Sequence, residues 1–258
     1  VQLKVAVITI NSIKDRLDNL TNHSHPFVGL DEAGNIFFVK TYSNGERCES
    51  KALFNELVAF KLAEKINLPW PRGNIAHLSE TVRNDLKISS SYAVAYDFLH
   101  PLVELTEDYQ FNSSDIDALY GKSIFDNWLS IGDLKNDTCK LLNDKLIFMD
   151  AGIAFEGDSA DEWEENGLIW KSTKLATESS PYLRGNLRSL EGFQPWMNSI
   201  CQIPSEYYKN IVGSIPDEWS VPESYKSKFV EVFSSSESNF IPKINECIHW
   251  DLNPPKLF

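Results

Sequence analysis

The sequence predicts an α+β chain in two parts, strand-rich over residues 1–100 and mainly helical over residues 101–258. Three observations predict it. In the first hundred residues, runs of branched and aromatic residues alternate with turn residues around one long helical pattern. Beyond residue 113 helical spacing prevails, broken by Pro181, Pro195, Pro204, Pro216 and Pro222. Between the two, His100-Pro101 marks a hinge, because a residue that precedes proline resists helix.

Taken in order, Val5-Ala6-Val7-Ile8-Thr9-Ile10 reads as a strand and Ile13–Leu20 as a helix. Phe27–Leu30 and Ile36–Lys40 form a hairpin across Asp31-Glu32-Ala33-Gly34-Asn35, a segment rich in turn formers. From Glu49 to Ile66, Leu53, Phe54, Leu57, Val58, Leu62 and Ile66 mostly recur three or four residues apart, which predicts an amphipathic helix. Pro69 and Pro71 end it. Leu86–Phe98 adds strand, with alternation over Ser91–Tyr96. Ser113-Ser114-Asp115 is a helix cap for Ile116–Leu129. A short hairpin follows, and the remainder is helical between prolines.

Bulk properties exclude several classes. At 258 residues with 42% hydrophobic content, the chain buries a real core. A formal net charge of −13 repels nucleic-acid phosphates and anionic membranes, and no basic patch offsets it. No apolar run spans a bilayer, and the N-terminal strand is too short and wrongly flanked for a signal peptide. Four scattered cysteines, Cys48, Cys139, Cys201 and Cys247, form no zinc or thioredoxin pattern. With no export signal they point to the cytoplasm. Cys139 reads as a buried inert thiol or as an oxidation-sensitive one. No phosphate-binding Gly-x-x-x-x-Gly-Lys, dinucleotide Gly-x-Gly-x-x-Gly or Gly-x-Ser-x-Gly elbow occurs. His23-Ser24-His25 has metal-ligand spacing but lacks a completing Cys or acid, so it reads as a solvent-facing loop. The acidic run Asp158–Glu165 reads as solvated surface, or as a segment concerned with substrate choice.

The chemistry concentrates after Phe125-Asp126-Asn127-Trp128. Asp133 lies in a Gly-Asp-Leu-Lys turn, and Leu146-Ile147-Phe148-Met149 delivers Asp150 into Ala151-Gly152. Two carboxylates at the ends of short apolar runs suit phosphoryl transfer, where one positions the accepting hydroxyl and the other holds magnesium. Upstream, Lys40 closes a strand and Glu56 rides the long helix, in the order of a phosphate-binding lysine and the glutamate that aims it. Taken singly, Lys40 is equally a solvated lysine on an edge strand, and Glu56 an exposed helix residue pairing weakly with Lys51 or Lys61.

These motifs resemble the HipA-like serine/threonine kinases, a bacterial family, in its compact single-unit branch. Strand-Val39-Lys40, then Asn55-Glu56-Leu57-Val58-Ala59, then Asn67-Leu68-Pro69-Trp70-Pro71 are similar to the family's N-lobe. Ile124–Phe155 is similar to its catalytic and metal-binding loops, and Ile215-Pro216-Asp217-Glu218-Trp219 to an element of its C-terminal helices. The resemblance implies a bilobal protein-kinase-like fold, ATP and Mg2+ as cofactors, and a protein substrate whose identity the sequence does not reveal. It also implies roles. Lys40 contacts the α- and β-phosphates and Glu56 directs it. Asp133 is catalytic and Asp150 ligates the metal. Asp97 and Phe98 lie in the hinge beside the adenine, and Ser24 in the phosphate-facing loop. The family's catalytic turn usually reads Asn-x-Asp-Arg, with an asparagine just before an apolar pair. Here Lys140 precedes Leu141-Leu142. A protonated lysine offers no lone pair to magnesium. It neutralises phosphate charge directly, or marks a pseudokinase that has lost transfer, or leaves Asn136 or Thr138 to substitute as the oxygen ligand in a rearranged loop. A further alternative is a purely protein-binding module acting through its acidic surface.

Overall fold

The computed structural model of the chain describes residues 5–17, 25–41, 49–106, 108–131, 139–149, 154–155, 187 and 189–252. Six strands, β1 (Val7–Ile10), β2 (Ser12–Arg16), β3 (Phe27–Leu30), β4 (Ile36–Lys40), β5 (Gly73–Leu78) and β6 (Tyr92–Asp97), form one sheet in the order β1-β5-β6-β4-β3-β2. β1 runs parallel to β5 and every other pairing is antiparallel. The β3–β4 hairpin forms where its turn chemistry predicts. The Asp31 carboxylate accepts from the Ala33 and Asn35 amides at 2.9 and 2.8 Å and from Asn35 Nδ2 at 2.7 Å. Gly34 takes φ +83°, a conformation that favours glycine.

The helix expected over Ile13–Leu20 is absent from its described part. Ser12–Arg16 is instead an edge strand paired with β3, with a register shift between Ile13 and Asp15. Its polar residues face outward, as an edge permits, and ladder pairing overrides their weak strand preference. The strand expected over Leu86–Phe98 is shorter than predicted: α2 (Glu80–Leu86) takes Leu86, Lys87 ends that helix in a left-handed conformation, and β6 begins only at Tyr92. Ser79 caps α2, its hydroxyl accepting from the Val82 amide at 3.3 Å. Val82 joins Ile10, Phe27, Phe37, Val39, Ala76, Leu78, Ala93 and Ala95 in the core on one face of the sheet.

The other face meets α1 (Glu49–Lys65). This helix is not amphipathic in its surroundings: every residue from Ala52 to Ala63 is buried. A helix buried all round lies between two layers. On one side stand β5 and β6. On the other stand the C-terminal helices α5 (Ser205–Val212) and α6 (Glu223–Ser234), with a 3-10 turn at Asp217–Trp219. Phe54 packs edge-on against Tyr225 and Phe229 at 5.2 and 5.5 Å. The Tyr207 hydroxyl donates to the Lys61 carbonyl at 2.7 Å.

The helical part begins with β7 (Val103–Glu104) and α3 (Ser113–Trp128). The cap of α3 is Asn112, one residue before the expected serines. Its side chain accepts from Ser114 and Asp115, and Asp115 accepts in return from the Asn112 amide, a reciprocal box. β7 joins the hairpin β8 (Cys139–Leu142) and β9 (Lys145–Phe148), whose two-residue turn places Asn143 and Asp144 at positive φ. Helices α4 (Leu190–Cys201), α5, α6 and α7 (Ser236–Leu252) follow among the described residues. Pro204, Pro216 and Pro222 immediately precede helical elements, as expected. Pro195 does not break its helix: it sits in the second turn of α4, where it removes one backbone donor from a helix capped by Ser189. Pro181 lies outside the described residues. One contiguous core runs from Val5 through α1 and α3 to Ile248.

Candidate active site

Lys40 ends β4 and Glu56 lies in the middle of α1. Both are buried, at 5% and 1% exposure, and they form an ion pair. The readings of Lys40 as a solvated edge lysine and Glu56 as an exposed helix residue are therefore both overturned. β4 is internal to the sheet, between β6 and β3.

Asp97 and Phe98 continue the strand that pairs with β4. Val94 stands opposite Lys40 and Asp97 opposite Phe37, so Asp97 lies three residues along the ladder from the ion pair. Its side chain is exposed. Phe98 stacks on His100 at 6.0 Å, and its amide donates to the Ile36 carbonyl at 3.3 Å. Lys140 is on the second sheet, in β8, where its ammonium pairs with the exposed carboxylate of Glu104 on β7.

Ser24, Asp133 and Asp150 lie outside the described residues. The backbone that flanks the two aspartates is described, and it is tied to α1. Asn55, next to Glu56, donates from Nδ2 to the Ala154 carbonyl at 3.0 Å. The Tyr225 hydroxyl donates to Asn55 Oδ1 at 3.2 Å. The Phe155 amide donates to the Leu129 carbonyl at 2.6 Å, joining the segment after Asp150 to the end of α3 that leads to Asp133. The Ile131 amide returns to the Asp126 carbonyl at 2.8 Å, and the Phe148 amide reaches the Pro69 carbonyl at 2.8 Å. The chain thus brings α1, the end of α3 and residues 154–155 into one hydrogen-bonded frame.

Asp126 is not at a loop. It is inside α3, fully buried, with both carboxylate oxygens 2.5 Å from the Lys122 ammonium. Lys122 lies over the rings of Trp70 and Phe148 at 5.6 and 5.8 Å. Burial raises the Asp126 carboxyl above its usual range, outweighing the neighbouring ammonium. Burial also pushes the Cys139 thiol up to about 12, which makes it the inert thiol of the two readings.

Sequence reasoning missed Asn55, Tyr225 and the Lys122–Asp126 pair. Asn55 had a signal, a polar residue on the apolar side of the predicted helix. Tyr225 had none, since a tyrosine in a C-terminal helix is indistinguishable from core. Among the described residues no group of three or more His, Cys, Asp or Glu gathers as a metal site, and no helix is long and apolar enough to cross a membrane.

A family model described as HipA-like kinase matches residues 10–252. No curated protein matches the chain. Among solved structures, the chain is similar to the Helicobacter pylori proinflammatory kinase CtkA, with TM-score 0.56 and 13% identity over 96% of this chain and 100% of that one. The Golgi casein kinase aligns at TM-score 0.45 and 10% identity, covering 94% of this chain and 73% of its own. At 13% identity the likeness to CtkA speaks to the fold, which is the expected kinase-like α+β arrangement.

Proposed function

The chain belongs to the HipA-like kinase family, and on that premise we propose that it binds ATP with magnesium between lobes of residues 1–100 and 101–258 and transfers the γ-phosphoryl group to a serine or threonine of a protein. The observation that carries this reading is the buried Lys40–Glu56 pair. Burying two charges costs several kcal/mol per ion before their attraction repays it, so such a pair is a poor device for stability alone. It is a good one for holding an ammonium ready for an anion.

Lys40 would donate to the α- and β-phosphate oxygens while Glu56 keeps it from swinging away. Asp133 would accept a hydrogen bond from the attacking hydroxyl and fix its line of approach. Asp150 would hold magnesium, whose charge, when bound, offsets that of the phosphates. Asp97 and Phe98 would border the adenine, and Ser24 would face the phosphates.

Lys140 supports a second reading, a pseudokinase that binds nucleotide without transfer. It stands where the family carries an asparagine, and Glu104 already engages it. Glu104 is exposed, and an ion pair of that kind is worth about 0–1 kcal/mol. Lys140 is therefore not locked away from a phosphate.

Thermal shift with ATP, with and without magnesium, tests binding. Incubation with labelled ATP and a lysate tests transfer. Labelling that vanishes in Asp133→Ala supports the kinase, while a shift without labelling leaves the pseudokinase. No shift under either condition rejects both.

A further inference from the structure

Asn55 is fully buried in α1, and its two polar ends face different parts of the chain. Its Nδ2 donates to the Ala154 carbonyl, 99 residues away, at 3.0 Å. Its Oδ1 accepts from the Tyr225 hydroxyl, 170 residues away, at 3.2 Å. Few side chains both donate and accept in so small a space, and asparagine is one. Ala154 is buried and Tyr225 is 4% exposed, so solvent does not compete for these bonds.

Stability does not explain the choice. A buried hydrogen-bonded amide contributes little beyond a well-packed apolar residue of its size, and it is costly when a partner is lost. What the amide adds is geometric. It registers the helix that carries Glu56 against a backbone carbonyl four residues after Asp150. The next residue, Phe155, takes φ +65°, a left-handed conformation that a bulky residue adopts only when its surroundings impose it. Those surroundings are the bond from its amide to Leu129 and ring contacts with Phe229 and Phe233 at 6.1 and 5.6 Å.

We propose that Asn55 and Tyr225 are positioning residues, a relay that fixes residues 154–155 against α1 and so sets the metal-side backbone in register with the Lys40–Glu56 pair. This rests on the nucleotide-binding reading given above. The relay touches no reacting atom; it acts through the backbone it holds.

Tyr225→Phe removes only the hydroxyl, and Asn55→Asp keeps the acceptor for Tyr225 while replacing the donor to Ala154 with an oxygen. Val82→Ala, on the opposite face of the sheet, is a control that lowers stability without touching the relay. In the protein without nucleotide, amide exchange should rise about five- to ten-fold in peptides covering 149–155 in both relay variants, with α4 unchanged. The control should raise exchange without that localisation. By calorimetry, affinity for ATP with magnesium should fall several-fold in the relay variants, while affinity for ATP without metal stays within about two-fold. Exchange that rises evenly along the chain, or that does not rise at 149–155, overturns the relay. So does an equal loss of both affinities. If the unsubstituted protein binds no ATP, the nucleotide reading fails, and the exchange comparison still decides whether the relay exists.

Discussion

Two charged pairs are buried on both sides among the described residues, one in the candidate site and one outside it, and residue-scale physics separates them. Lys40–Glu56 joins a strand end to a helix, whereas Lys122–Asp126 lies within one helix under two aromatic rings. Asp126 carries a raised carboxyl pKa, so the fold favours its protonated form. Its contribution is full below the ordinary carboxylate range and is lost as pH rises through the native value. The ionised pair is thus tolerated rather than stabilising. Removing one partner, as in Asp126→Leu, should cost about 3–5 kcal/mol, because it strands the other. The double change Lys122→Met with Asp126→Leu should recover most of that loss. Urea unfolding of both variants checks it, and a double variant as unstable as the single one contradicts it. Cys139 gives a second test with the same sign rule. Burial pushes its thiol from the ordinary thiol range up to about 12, so the stability it contributes is complete below that ordinary range and declines as pH climbs towards 12. Unfolding followed between neutral and alkaline pH should show that decline in the unsubstituted protein and a flatter profile in Cys139→Ala. At neutral pH the thiol should resist alkylation until the chain unfolds.

Among the elements, α1 is the one whose placement governs the site, and a glycine on its neighbour sets that placement. A Cβ at Gly73 in β5 would stand 2.2 Å from the ring of Phe60. Gly73→Ala therefore forces Phe60 and α1 away from the sheet, at about 1–3 kcal/mol, and draws Glu56 away from Lys40. Lower urea stability with weaker ATP binding is the expected result, and unchanged binding would mean that α1 is not held at this contact. Gly121 and Gly192 serve the α3–α4 crossing in the same way, against Trp196 and Tyr120. How far the elements were legible depended on whether their cause was local. The β3–β4 hairpin was readable because Asp31, Gly34 and Asn35 write their own turn. α1 was readable as a helix from its spacing, but not as a wholly buried one. Glu56 and Lys61 look like a solvated face until Asn74 and the C-terminal helices are in place. β2 was misread because pairing with β3, not its own residues, makes Ser12–Arg16 a strand. α2 was missed because seven residues carry too little periodicity. At the candidate site Lys40 and Glu56 were legible from chain order, whereas Asn55 depends on partners 99 and 170 residues away.

For the whole molecule, the question is whether the strand-rich and helical parts unfold as one body. The two parts meet at more than the chain crossing at His100-Pro101. Tyr207 bonds the carbonyl of Lys61, and Lys65 lies over the Tyr207 ring at 5.3 Å. Trp219 donates to the Tyr92 carbonyl at 3.4 Å, and the Glu218 carboxylate accepts from the Ser91 amide. Tyr225 reaches Asn55, and the apolar core passes through all of these without a gap. Because α1 is clamped between the sheet and α5–α6, it cannot leave the sheet without opening the helical part as well. Two cooperative units would need a boundary that few contacts cross, and here the helix at the boundary is buried from Ala52 to Ala63 within a core shared by both parts. Urea unfolding should accordingly give one transition. Tryptophan fluorescence, to which six of the seven tryptophans contribute from residues 101–258 and Trp70 alone from residues 1–100, should coincide with far-ultraviolet circular dichroism, which reports both parts. Two separated transitions would mean that the C-terminal helices release α1 first. The Lys40–Glu56 pair would then be a state the protein enters and leaves, instead of a fixed part of its pocket.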